Sequence, residues 1–233
     1  MKSIYFTLII SLYLCFAQAK TIYGSDLKSP GIGILIHKTL NPHGERLHFP
    51  ENLALKVYNS KKNIIGEISS LNSNVILSIN NSKTFVKTEM IAYDGLAIII
   101  YSTSENFYEI KSESINFPIW LNKSDLTKND LKYFLWNNFL LQYQKHLYPL
   151  IPLNLRSIPD KNGNKIVLVK NQKFEIILTG QISENWAKVN VNEYSDDEQD
   201  CGSNAKVLNK YSGWLKITDD NGTPNVWFYP KGC

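Results

Sequence analysis

Two turn signals, each set between alternating apolar residues, constrain this chain more than anything else in it. In KTEMIAY-DG-LAIIIYS, Asp94 and Gly95 suit the positive φ angles of a type I′ turn, which joins antiparallel strands. In WLKIT-DDNG-TPNVWFY, the residues from Asp219 to Gly222 place a second hairpin. Short strands with turn signals every ten or so residues predict a mainly β fold, a small antiparallel barrel or sandwich.

One stretch breaks this rhythm. In SDLTKNDLKYFLWNNFLLQYQKHLYP, Leu131, Leu135, Phe139, Tyr143 and Leu147 recur every four residues. Thr127 with Asp130 resembles a capping box with Asp in place of Glu, and Pro149 and Pro152 stop the run. The spacing predicts a helix, and because Phe134, Trp136 and Leu140 lie off the stripe, more than one of its faces is apolar. A packed connector fits this better than a helix on a membrane surface, which would carry a basic polar face.

The helix separates two stretches that resemble each other. ENFYEIKSE (105–113) aligns with ENWAKVNVN (184–192), and FPIWLNK (117–123) with PNVWFYPK (224–231). Upstream, LALKVYNSKKNIIGEI occupies the place of PLNLRSIPDKNGNKIVLV. Three matches in the same order predict a tandem repeat.

The N-terminus carries Lys2, an apolar run from Ile4 to Phe16 and the triplet Ala17-Gln18-Ala19, the pattern of a secretory signal peptide cleaved after Ala19. The run is shorter than the roughly 20 residues that span a bilayer. Acylation at Cys15 would need small residues where Tyr13 and Leu14 stand. Cleavage removes Lys2 from the 25 basic residues and none of the 21 acidic ones, so the mature chain has a net charge of +3. That balance argues against a nucleic-acid partner, which requires a clustered basic face. Two cysteines survive, Cys201 and Cys233. In an exported chain an even count reads as a disulfide. It would close a loop of about 30 residues and contribute about 2–4 kcal/mol.

LNLRSIPDKNGNKIVLVKNQKFEIILTGQISENWAKVNV (153–191), followed by GWLKI and NVWFYPK, resembles the bacterial SH3-like (SH3b) domain. The resemblance covers Pro149 to Cys233 and is fainter over Leu53 to Leu126. Ile158-Pro159 stands where the family has Gly-Pro, and an insertion, Asn192 to Lys210, carries Cys201. The resemblance implies small antiparallel barrels, and many exported members attach to the cell wall or bind its peptides. The expected organisation is therefore a signal peptide (1–19), a divergent SH3-like domain (20–123), a connector α-helix (124–148) and a second SH3-like domain (149–233).

Strand alternation nominates a binding surface without reference to the family. In WAKVNV, Ala187, Val189 and Val191 share one face, leaving Trp186, Lys188 and Asn190 on the other. Trp214 falls with Lys216 and Thr218, and Trp227 with Tyr229, while Tyr211 and Tyr194 lie nearby. Rigid rings with a polar edge suit a glycan or an extended peptide. The competing reading is burial, since strands of small barrels are partly covered on both faces and the 192–210 insertion could lie over the rings.

Catalytic signatures are sparse. The disulfide uses both cysteines of the mature chain, so no thiol nucleophile is left, and no Gly-x-Ser-x-Gly elbow occurs. His37, His43 and His48 with Glu45 or Glu51 lack the spacing of a helical zinc pair. The acidic run Asp196, Asp197, Glu198 and Asp200 reads as a solvated loop more readily than as a calcium site, and DKNGNK at Asp160 puts its glycine fourth where a calcium loop needs it sixth. Asn80 and Asn122 begin Asn-x-Ser sequons. The expectation is an exported, non-catalytic binding or adaptor protein of the cell envelope, without cofactor or metal, directed at peptidoglycan or an envelope peptide. A structural or assembly partner of another envelope protein with no glycan or peptide ligand is the alternative, and a metal-dependent hydrolase, resting only on the histidine cluster, comes last.

Overall fold

The computed structural model describes residues 30–38, 49–59, 63–71, 74–92, 95–143, 146–171, 173–195 and 206–228. The signal segment, Cys201, Cys233, Tyr229, the acidic run, His43 and His48 lie outside the described residues. In chain order the strands are β1 (Gly33–His37), β2 (Ala54–Asn59), β3 (Asn63–Leu71), β4 (Asn74–Ile79), β5 (Ser82–Phe85), β6 (Thr88–Ala92), β7 (Gly95–Ile100), β8 (Ser102–Thr103), β9 (Phe107–Ile110) and β10 (Ile119–Asn122). A short helix (Lys123–Lys128) leads to β11 (Leu131–Leu135) and a second helix (Trp136–Tyr143). There follow β12 (His146–Pro149), β13 (Leu153–Arg156), β14 (Lys165–Val169), β15 (Phe174–Ser183), β16 (Trp186–Tyr194), β17 (Val207–Lys216) and β18 (Val226–Phe228).

These strands form a mainly β, antiparallel protein of three sheets. Their orders are β5-β4-β3-β2-β10-β9-β8, β11-β1-β7-β6 and β14-β13-β17-β16-β15-β12-β18. The four-stranded sheet lies between the other two. Alternate residues of a strand point to opposite faces, and here each face has its own core. Leu35, Ile98, Ile100 and Leu131 pack with Leu55, Val57, Ile68 and Leu121 of the first seven-stranded sheet. Ile34, Ile36, Ala97 and Phe134 pack with Val189, Val191, Leu215 and Phe228 of the second. Burial on both faces explains why β1 and β7 are almost continuously apolar and do not alternate. Gly33 is required in this layer, because a Cβ there would lie 2.2 Å from the Phe134 carbonyl oxygen on the neighbouring strand.

The continuous helix expected over Leu131–Leu147 is absent. Asn122 caps the first helix, its side chain accepting from the Ser124 N–H at 2.9 Å, so Thr127 falls inside that helix and does not start one. Asp130, at φ 54°, turns the chain. Residues 131–135 then pair with all of β1. The four-residue stripe was not a face: Leu131, Phe139 and Leu147 are buried, but Leu135 is 40% exposed. Pairing satisfies the edge of a fully buried strand, and that requirement overrides a helical preference of a few tenths of a kcal/mol per residue. Within the expected 124–148 connector, the described residues are helical only over 124–128, in the first short helix, and over Trp136–Tyr143.

A β6–β7 hairpin stands where the Asp94-Gly95 signal lies, but Gly95 pairs with Ala92 as the first residue of β7, and residues 93–94 between them lie outside the described residues. The second turn is also present, the Asp219 N–H donating to the Thr223 carbonyl at 2.8 Å. Its arms part after a single bridge, Thr218 to Pro224, and β18 pairs with β12 instead.

Two sets of five strands share one connection order, which aligns the two similar stretches differently from the sequence match. β3-β2-β10-β9-β8 and β14-β13-β17-β16-β15 run in the same order. Trp120 stands opposite Tyr58 and Glu109, and Trp214 opposite Arg156 and Lys188. The Lys123 N–H donates to the Asn106 carbonyl at 3.0 Å and the Ile217 N–H to the Asn185 carbonyl at 2.9 Å. Trp120 therefore matches Trp214, in GWLKI, and not Trp227.

Candidate binding face

The outer face of the second seven-stranded sheet holds two of the nominated tryptophans. Ala187, Val189 and Leu215 fill the inner face and are fully buried, which turns Trp186, Lys188 and Asn190 of β16 outward together with Ser212, Trp214 and Lys216 of β17. Trp186 pairs with Lys216, and Trp214 with Lys188 on one side and Arg156 on the other. The two indoles thus sit on a cross-strand diagonal, each half-buried, with a cation opposite each. Diagonal neighbours lie about 7–8 Å apart, within reach of one extended ligand.

The cations are positioned to different degrees. Arg156 donates through Nη1 to the Gly163 carbonyl at 2.7 Å, which ties its guanidinium to the loop between β13 and β14. Lys216 meets Asp220 at 2.5 Å, and this pair holds the exposed Asp220 carboxyl below the usual range. Lys188 makes no ion pair among the described residues.

The same outward row continues along β16 through Asn192 to Tyr194. There Glu175 receives the Asn192 amide and the Tyr194 hydroxyl on Oε2, both at 2.8 Å, and His146 Nδ1 lies 2.6 Å from Oε1. Burial pushes the Glu175 carboxyl up, but the bonds from Asn192, Tyr194 and His146 outweigh it and leave its pKa lowered. From Trp186 to Tyr194 the row spans about 26 Å at the rise of a strand.

Of the other nominated residues, Tyr229 lies outside the described residues, and Trp227 and Tyr211 are not part of this face. Trp227 is 3% exposed, with its ring 4.9 Å from that of Trp136 and 4.8 Å from that of Phe228. The expectation that Val226 and Phe228 point inward and Trp227 outward fails because β18 is covered on both sides, Trp136 of the second helix meeting Trp227 directly. Tyr211 pairs with the fully buried Val191, so it belongs to the face opposite Trp214, packs against the core and donates to Glu193 at 2.9 Å. Thr218 is buried too, bonded to Asn185.

The first repeat carries an analogous row. Trp120 lies between Tyr58 and Glu109, and Tyr58 meets the Phe107 ring edge-on at 5.5 Å. Tyr58 also donates to Asp125 at 3.3 Å; burial first, and then this carboxylate, raises its pKa. Where the second repeat places Arg156 and Lys188, the first places Tyr58 and Glu109.

One group escaped the sequence reading. Glu89, on β6, pairs with Ala97 and so faces the core shared with the second sheet. Burial pushes its carboxyl up to about 7, against a weaker opposing hydrogen bond from the Met90 backbone. Tyr101 and Tyr148 are raised by burial and then by the Glu89 charge, Tyr148 to about 12. No pattern in TEMIA marks this site, because it arises from the packing of one sheet on another.

Among the described residues no group of three His, Cys, Asp or Glu side chains could hold a metal, and no helix is long and apolar enough to cross a membrane. Fold and face together define a mainly β, antiparallel protein with an aromatic and cationic outer surface. The chain matches no protein-family model, no curated protein and no solved structure.

Proposed function

We propose that the protein is an exported, non-catalytic binding module of the cell envelope, built on two SH3-like repeats, and that it takes peptidoglycan or an envelope peptide along the outer face of the second repeat. The observation that supports this reading is the Trp186–Trp214 diagonal, with Arg156, Lys188 and Lys216 at the cross-strand positions paired with the two tryptophans. Two half-buried indoles offer stacking area at little rotamer cost, and three cations favour a chain bearing carboxylates. Both tandem order and signal-like N-terminus support the assignment.

Retention on purified sacculi tests it. The mature chain should be retained, and Trp186→Ala and Trp214→Ala should each release it without lowering the melting temperature by more than a few degrees. Equal retention of wild type and both variants would remove the face from the account.

A second reading, contact with another envelope protein, is favoured by one feature. Ile158, Ile166 and Leu168 are 51%, 42% and 44% exposed along and beside the sheet-edge strand β14. An apolar edge strand is a template for pairing with another chain. Cross-linking in an envelope extract that maps to β14, with no retention on sacculi, would select this reading.

A further inference from the structure

We propose that a cleft between the central sheet and the second seven-stranded sheet is a separate site for a short acylated peptide or amino acid that ends in a free carboxylate. The site shares no residue with the tryptophan face, and the inference does not rest on the function proposed above. The cleft is a shallow depression, largely open to solvent, of about 500 Å³, lined by Lys132, Tyr133 and Phe134 of β11, Asn138, Leu141 and Gln142 of the second helix, and Gly180 of β15. That volume lies in the range of small-ligand sites, about 300–1,000 Å³.

Each wall has a local cause. The register of β15 against β16 breaks between Leu178 and Ile182, and Gly180 within the break adopts φ 87° with nothing within 4 Å of where a Cβ would be. Such bulges re-aim a strand and recur beside binding sites. Asn138 and Gln142 are one helical turn apart and share a side, with Leu141 beside them. Lys132 is exposed, its ammonium 4.6 Å from the Phe134 ring centroid, and it makes no ion pair among the described residues.

The chemistry of the lining selects the ligand. A carboxamide both donates and accepts, so two of them one turn apart match the alternating C=O and N–H of an acylated peptide. An ammonium at one wall completes a charge-assisted bond with a carboxylate and disfavours a cationic ligand. Leu141, half-buried, and the small exposed edge of Phe134 supply the apolar contact.

The test titrates ¹⁵N-labelled full-length chain with N-acetyl-alanyl-alanine and with its C-terminal amide. The free acid should shift the amides of Asn138, Leu141 and Gly180 saturably. The C-terminal amide, and the free acid with Lys132→Gln, should bind about tenfold more weakly, as expected for loss of one charged hydrogen bond. Lys132 is exposed, so this variant should keep its melting temperature. Gly180→Asn places a side chain that tolerates positive φ at the cleft wall and should also weaken the shifts. Absence of a saturable shift, equal affinity for acid and amide, or shifts confined to Trp186 and Trp214 would overturn the proposal; in that last case the tryptophan face would stand without the cleft.

Discussion

Replacing Glu89 by glutamine should stabilise the protein at alkaline pH and leave it unchanged in acid. The Glu89 carboxyl faces the core between the central and second sheets, and burial raises its pKa from 4.5 to about 7. A raised pKa means that the folded state binds the proton more tightly than the unfolded state. The stability associated with the protonated form is complete below about pH 4.5, is lost as pH rises towards 7, and is gone above it. At about 1.36 kcal/mol per pKa unit, the shift amounts to about 3 kcal/mol as an upper figure, since the side chain is only partly buried. Glutamine keeps the shape and cannot ionise. Urea denaturation at pH 4, 6 and 8 should therefore show Glu89→Gln equal to wild type at pH 4 and about 2–3 kcal/mol more stable at pH 8. For a chain of this size the alkaline gain corresponds to about 4–12 °C in melting temperature. Parallel curves for the two proteins from pH 4 to 8, or a variant less stable at pH 8, would refute a neutral carboxyl at this position.

The placement of the tryptophans separates core from surface. Trp227→Ala should cost about 3–5 kcal/mol, as for a large ring removed from a core, whereas Trp214→Ala should cost less than about 1.5 kcal/mol, and chemical denaturation of both distinguishes them. Tyr133 packs against Tyr108 with ring centroids 4.5 Å apart, its buried hydroxyl finds no hydrogen-bond partner among the described residues, and burial pushes its pKa up to about 12. Tyr133→Phe should then be neutral or stabilising by about 1 kcal/mol, and a clear loss of stability would show that the hydroxyl is bonded.

What was legible in the sequence follows from the range of the interaction that produces each feature. The turn signal near Asp94 and the alternation of WAKVNV act between close neighbours in the chain, and the structure contains a β6–β7 hairpin, with Gly95 in its second strand, and the two-faced strand. The order of the similar stretches follows the shared strand order, but the closing strand is aligned differently because Trp120 and Trp227 share a local pattern, while the corresponding backbone bonds reach from Lys123 to Asn106 and from Ile217 to Asn185. The Leu131–Leu147 stripe failed for the same reason. A four-residue period cannot register that β1, about a hundred residues earlier, needs a partner on its open edge. Period-two alternation gives the outward position of Trp186 and Trp214, and also puts Tyr211, named only for its nearness in sequence, on the opposite face; Trp227 departs from it because the cover over β18 is not encoded locally.

The central sheet bears on how the repeats unfold. Separate barrel cores would lose stability separately, and damage to the second repeat would leave the first intact. Here neighbouring residues of a single strand serve both cores, Leu35 in the first and Ile34 and Ile36 in the second. β1 cannot leave one core and keep its pairing in the other, because its backbone bonds to β7 and β11 serve both faces at once. A lesion confined to the second core should therefore be felt in the first sheet. Leu215→Ala, at a fully buried position, should cost about 2–5 kcal/mol. Hydrogen exchange should then show the most protected amides of β2 and β3, in the other sheet, losing the same free energy as those of β16, within a single calorimetric transition. Full protection of β2 and β3 in the variant, or two resolved transitions, would mean that the central sheet parts from the second core before it parts from the first, and that the two halves behave as independent units despite the strand they share.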